Sequence, residues 1–285
     1  MLDGLQFNGN PDPLDLCTYV VATETGWSGS TRGRVPPAVG ATEPARVITL
    51  SGWVAAPSWE ARRRAELRLA ALCALDQDYE LRCTTELGER VMTVRRDAET
   101  TVAIRSGGYE LDFSVQLGAL DGRRYDAQLQ SADTGLANGE NGGLDFETGG
   151  GLEFEPTGLD FGPAGSSGHA RVSTFGTAAT SPRFVLDGPL TPPVTISRHD
   201  TGARLVYTAP IGTGERIAID VQDRTVTLGG TTTSRRHNAI VHDWNALIVP
   251  PAGLNGPATV DYALSHGATP NTTARLAVQW RDAWH

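Results

Sequence analysis

Lysine is absent from this chain: all 24 basic residues are arginine, set against 33 acidic ones for a net charge of -9. The missing lysine reads first as the codon bias of a GC-rich genome and only second as selection for arginine's bidentate contacts. The negative balance argues against non-specific binding to DNA or to an anionic membrane, whose phosphates it repels. Cysteine is scarce, and Cys17, Cys73 and Cys83 make an odd count at spacings that signal neither a disulfide framework nor a zinc site. They read as buried thiols in a reducing compartment. No basic start followed by an apolar core opens the chain, and no apolar run reaches the roughly 18 to 20 residues that cross a bilayer. The expectation is synthesis in a cytoplasm, without secretion or membrane insertion. In that setting Asn271-Thr272-Thr273 matches a glycosylation acceptor by chance.

Signals of chemistry are missing too. His169, His199, His237, His242, His266 and His285 lie in or beside turns, and although Asp243 adjoins His242, no further acid completes a metal triad with His237. Gly26-Trp27-Ser28-Gly29 is only a partial echo of a nucleophile elbow. No glycine loop that would cradle phosphate opens a helix. A glycosidase pair of carboxylates leaves no local signature, because its members come from distant parts of a chain, but the acids here mostly occupy turns and strand exteriors. A β-rich hydrolase acting on cell-wall glycans would need such acids clustered in a cleft. The reading is no enzyme, no metal and no cofactor.

What is present is period-two alternation. In Glu215 to Gly229, Ile217, Ile219 and Val221 alternate with Ala218 and Asp220, and after Gln222-Asp223 the period resumes with Val226 and Leu228: a hairpin. The 285 residues suffice for two domains with real cores. Leu2, Leu5 and Phe7 can dock the first residues without a long element, and Leu16 to Ala22 reads as a strand. Thr23 to Ala45, rich in Gly and Pro around Trp27, Arg32 and Arg34, reads as a loop long enough to bind something.

Arg46 to Ala56 returns to strand, with Ile48, Leu50, Gly52 and Val54 on one face. Ser58 then caps a helix from Trp59 to about Leu75, roughly 25 Å long. Its stripe of Ala65, Leu69, Leu72 and Cys73 faces the strands, opposite Glu60, Arg63, Arg64 and Arg68. Short strands follow at Tyr79 to Thr84, Glu89 to Arg95, Thr101 to Arg105 and Tyr109 to Leu117, with Asp121-Gly122 marking a turn. Residues 1–130 form an α+β unit of small sheet plus one helix.

Between Ser131 and Gly168, Gly and acids replace β-branched residues, and Gly143-Leu144-Asp145-Phe146, Gly151-Leu152-Glu153-Phe154 and Gly158-Leu159-Asp160-Phe161 repeat one pattern. A solvated linker or a surface-binding repeat both fit residues 131–168. Residues 169–285 carry about nine short strands at the spacing of a β-sandwich, among them Trp244 to Val249 and a last strand at Ala274 to Trp280.

Several of these pieces resemble the distal tail protein of long-tailed phages, a minor tail protein, in the versions found in phages of GC-rich actinobacteria. They are Leu5-Gln6-Phe7-Asn8-Gly9, the run from Ala45 to Gly52, Phe113 to Leu117 ahead of the Asp121 to Tyr125 turn, and the Gly-Leu-x-Phe repeats. The second half adds Ala179 to Pro182, Gly188-Pro189, Thr201-Gly202, the hairpin, and Pro250 to Asn255. One departure is Gly122, where family members often carry proline after the aspartate.

The resemblance implies a mainly β structural subunit of the virion. Its N-terminal domain forms a ring, usually hexameric, that joins the tail tube protein to the tail tip, and a galectin-like β-sandwich projects outward. Genomic DNA passes through the lumen without specific binding. Trp27, Arg32, Arg34, Phe146, Phe154 and Phe161 are the candidate assembly contacts. The alternative is an adhesin of the tail tip that binds host-surface glycans on a platform of Trp244, Tyr262 and Tyr207.

Overall fold

The computed structural model describes residues 2–25, 46–74, 76–86, 88–105, 107–137, 166–254, 256–268 and 273–285. The chain divides into two compact units, Met1–Ala127 with Ala283–His285, and Gln128–Asp282.

In the first unit, strand alternation builds one eight-stranded sheet. Its elements are β1 (Thr18–Thr25), β2 (Arg46–Ala55), helix α1 (Trp59–Ala71), β3 (Tyr79–Thr85), β4 (Gly88–Arg96), β5 (Thr101–Ile104), β6 (Glu110–Ala119) and β7 (Arg124–Asp126). β6 alternates without interruption: Leu111, Phe113, Val115, Leu117 and Ala119 are buried, and β2 pairs with it over ten residues. α1 packs over β2, β5 and β6 through Ala61, Ala65 and Leu69. Each large apolar side chain so buried contributes about 1.5–3 kcal/mol. At Gly52 a Cβ would overlap the Val20 carbonyl of β1, where the register slips between Val21 and Thr23, so only glycine lets the two backbones approach.

Ser58 caps α1 as expected, its hydroxyl accepting from the Ala61 amide at 3.2 Å. The helix stops at Ala71, short of the expected Leu75. Cys73 takes a left-handed φ of 51° there, and its amide donates to the Asp3 carboxylate at 3.1 Å. Leu2 and Leu5 are buried, and Phe7 meets Tyr19 edge-on at 6.3 Å, so the first residues dock as the sequence indicates.

The second unit is a β-sandwich. Its strands are β8 (Gln130–Gly135), β9 (His169–Thr174), β10 (Arg183–Asp187), β11 (Val194–Arg198), β12 (Arg204–Tyr207), β13 (Arg216–Asp220), β14 (Thr225–Leu228), β15 (Ala239–Val241), β16 (Ala258–Ser265) and β17 (Arg275–Trp280). One sheet runs β14-β13-β10-β17-β8, the other β15-β12-β11-β16-β9. Their inner faces share one core, in which Phe184 of β10 meets Tyr262 of β16 edge-on at 5.0 Å. The β13–β14 hairpin pairs Asp220 with Thr225, so its loop is four residues, Val221 to Arg224, with Arg224 at a φ of 55°.

Three features depart from the sequence reading. Trp244 to Val249 is not a strand but carries a single 3-10 turn at Asn245–Leu247. Side chains take the carbonyls a ladder would need: Arg198 donates to those of Ala246 and Ile248, and the Tyr262 hydroxyl to that of Leu247 at 2.6 Å. β8 lies inside the stretch read as linker, where Thr134 alone gives β-propensity. After β17, Ala283–Trp284 form a last strand, β18, which pairs with β7 and returns the chain to the first unit.

Candidate functional site

The most heavily built polar site of the first unit ties the N-terminal segment to α1. Arg68 reaches Asp12 at 2.8 Å and Asp15 at 2.7 Å, and the Tyr19 hydroxyl donates to Asp15 at 2.5 Å. Both aspartates are buried, at 7% and 2% exposure. Asp15 also accepts from the Cys17 amide, and Asp12 from the Leu14 amide. Hydrogen bonding from Arg68 holds the Asp12 carboxyl below the usual carboxylate range, whereas burial and the Asp15 charge push the Cys17 thiol up to about 12. Burial raises the Tyr19 phenol as well. The cluster has no nucleophile and no open face, so its chemistry is that of an anchor. The sequence hinted at it only by setting an arginine beside Leu69 at the edge of the helix's apolar stripe, since its partners lie more than fifty residues away.

The Asp121 turn is a second anchor. Its carboxylate accepts from the Arg123 amide, Nε and Nη2 and from the Tyr125 hydroxyl at 2.6 Å. Burial raises that carboxyl, but the bonds from Arg123 and Tyr125 outweigh it and hold the group low. These side-chain bonds close the turn that proline closes in the resembling family. Beside it, Arg90 is buried, pairs with Asp126 and lies over the Trp284 ring at 4.6 Å from its centroid, which locks β18 onto the sheet.

In the second unit, Arg198 donates to both oxygens of Asp200 as well as to the two carbonyls, and its bond holds the Asp200 carboxyl low. Asp12 and Asp200 thus have depressed folded-state values. Their contribution is present above the ordinary carboxylate range and is lost as pH falls through the folded values. Thermal unfolding should therefore be unchanged from pH 7 to 5 and drop below about pH 4. In Asp200→Asn the acid-induced drop should shrink, and an equal drop would show that this pair does not contribute.

The residues assigned to a glycan platform do not form one. Tyr262 and Tyr207 are 0% and 2% exposed, and Trp244 is 7% exposed with Arg236 over its ring at 5.0 Å. All three belong to the sandwich core, where large aromatics gain most from burial. The candidate assembly contacts Trp27, Arg32, Arg34, Phe146, Phe154 and Phe161 lie outside the described residues. No cluster of three or more His, Cys, Asp or Glu side chains suited to a metal occurs among the described residues. Of the cysteines, Cys17 and Cys73 are buried, Cys83 half-buried, and all are free thiols. No described helix is long and apolar enough to cross a membrane.

No protein-family model and no curated protein sequence matches this chain. Solved structures do. The crystal structure of the Dit (gp 19.1) protein of phage SPP1, described as a paradigm of the hub adsorption apparatus in phages infecting Gram-positive bacteria, matches at a TM-score of 0.56 and 13% identity, covering 93% of each chain. The chain has the phage distal tail protein fold. The phage P2 baseplate in its activated conformation with Ca gives a TM-score of 0.48 at 11% identity over 95% of this chain and 91% of that one. The likeness to SPP1 Dit spans both units, the sheet with its helix and the sandwich.

Proposed function

We propose that this chain is a structural subunit of a phage tail, the distal tail protein, whose first unit assembles into a ring between the tail tube protein and the tail tip. The observation that carries this reading is the end-to-end match to the SPP1 hub protein, with 93% of both chains covered. A sandwich alone is shared by many unrelated functions; this sheet, helix and sandwich in one order is a much narrower likeness. The anchors fit the role. Arg68 and Arg90 fix the N-terminal segment and β18 rigidly onto the ring-forming unit, as a load-bearing joint requires. Trp27, Arg32, Arg34 and the phenylalanines of the Gly-Leu-x-Phe repeats are the further contacts we assign to neighbouring tail components.

DNA passes through the ring unbound. The net charge is unevenly placed: the first unit carries -4, the 138–165 segment -6 with no basic residue, and the rest of the second unit +1, together the -9 of the chain. Repulsion of DNA phosphates by the ring therefore rests on the first unit's own excess of acids, acting within a screening length of roughly 8–10 Å. Neutralising the acids that face the conduit is expected to slow DNA ejection from the virion, and unchanged ejection would remove this part of the account.

Labelling intact virions with an antibody against the second unit is expected to decorate the distal end of the tail. Label along the tube or on the head would contradict the assignment.

A further inference from the structure

Six large apolar side chains of the first unit are more than half exposed, and they fall in two places. Leu14 and Leu16, with Leu67 of α1 near them in the chain's Arg68 anchor, stand outboard of β1. Ile104 and Tyr109, with Trp59 at the start of α1, stand at β5 and the turn into β6. The sheet order between them is β1-β2-β6-β5, so the two groups occupy opposite edges of one sheet. They also sit at the same end of it: Thr18 pairs with Ala55, Ala55 with Glu110, and the Arg105 amide donates to the Glu110 carbonyl. Three strand spacings, about 14 Å, separate the edges.

The leucines are held outward by construction. Leu16 adopts a left-handed φ of 60°, unfavourable for a residue with a Cβ, while Asp15 and Cys17 on either side are buried and bonded. The Asn8 and Asp12 amides donate to the Tyr19 and Cys17 carbonyls, and the Val21 amide donates to the Asn8 side chain. This part of the β1 edge is thus satisfied by its own chain and is closed to strand addition. What it offers is side chains.

The charged rims differ in sign. Arg64 is exposed one turn before Arg68 on the same face of α1. At the other edge Arg105 sits between Glu110 and Asp112, both half exposed, which leaves an acidic excess. An apolar group with a basic rim at one edge thus faces, on the next molecule, an apolar group with an acidic rim.

We infer that these two surfaces are the two halves of one joint between copies of this chain: Leu14 and Leu16 of one copy seat on Ile104 and Tyr109 of the next. Different surfaces on opposite edges make the contact heterologous, which repeats head to tail and closes into a ring when the rotation fits. The inference rests on the ring reading and assigns it a surface.

The test uses two full-length variants, Leu14→Arg with Leu16→Arg, and Ile104→Arg with Tyr109→Arg, weighed by native mass spectrometry. Each alone is expected to be monomeric, with association weakened at least 100-fold. Mixed in equal amounts they should form a dimer of one copy of each and nothing larger, because each retains the surface the other lacks. That dimer also shows that both variants fold, and Leu14→Ser with Leu16→Ser replaces the first pair should the arginines unfold it. Wild-type assembly by either variant, or a mixture that stays monomeric, would overturn this surface while leaving the ring reading intact. A wild-type chain that is itself monomeric would instead defeat the ring reading.

Discussion

Arg68→Met is expected to lower the stability of the first unit by about 3–5 kcal/mol, the cost of stranding buried carboxylates without their cation. Asp15 is almost wholly enclosed and Asp12 nearly so, and both take their charge-assisted bonds from the one guanidinium. A surface ion pair of the same geometry would be worth about 0–1 kcal/mol. The two magnitudes are far enough apart for one urea titration to decide. With a slope of roughly 1–3 kcal/mol per molar urea, the midpoint should fall by more than about 1 M. Arg68→Met combined with Asp12→Asn and Asp15→Asn should recover much of the loss, because no buried charge then lacks a partner. A shift below 1 kcal/mol in the single variant would show that water reaches the site. Arg68→Lys should fall between, since an ammonium cannot bridge two carboxylates as a planar fork does.

Trp244→Ala is expected to cost the second unit about 3–5 kcal/mol, as truncation of a buried aromatic leaves a cavity in a packed core. Trp244 abuts the 3-10 turn whose carbonyls are held by Arg198 and Tyr262, so the substitution also loosens those bonds. Calorimetry on the full chain should show the loss in one unfolding transition. Any glycan binding that disappeared with it would report unfolding and not a lost stacking surface. Unchanged stability, together with a tryptophan emission that marks an exposed ring, would contradict the burial and reopen the platform.

The sequence was most legible where one local rule acted alone. β6 alternates through Leu111, Phe113, Val115 and Leu117, and its burial follows without exception. The hairpin of β13 and β14 and the Ser58 cap were equally local. Legibility failed where distant side chains competed with backbone preference. Trp244 to Val249 has the composition of a strand, yet Arg198 and Tyr262 consume its carbonyls from β11 and β16. β18 could not be foreseen from two residues, because its stability comes from Arg90, nearly two hundred residues earlier. The site was less legible than the fold for a related reason: Asp12, Asp15 and Arg68 are ordinary polar residues until the fold brings them together. The exposure of Leu14 and Leu16 follows from that same anchor and from the backbone at Leu16. The aromatics chosen for a glycan platform failed because size and type alone favour the core.

The central claim is that copies of this chain close into a ring through the first unit. Native mass measurement with negative-stain imaging of the purified full-length protein tests it most directly. The account predicts a closed ring with a central hole, six copies being the number the resemblance implies, while a strict monomer at high concentration would contradict it.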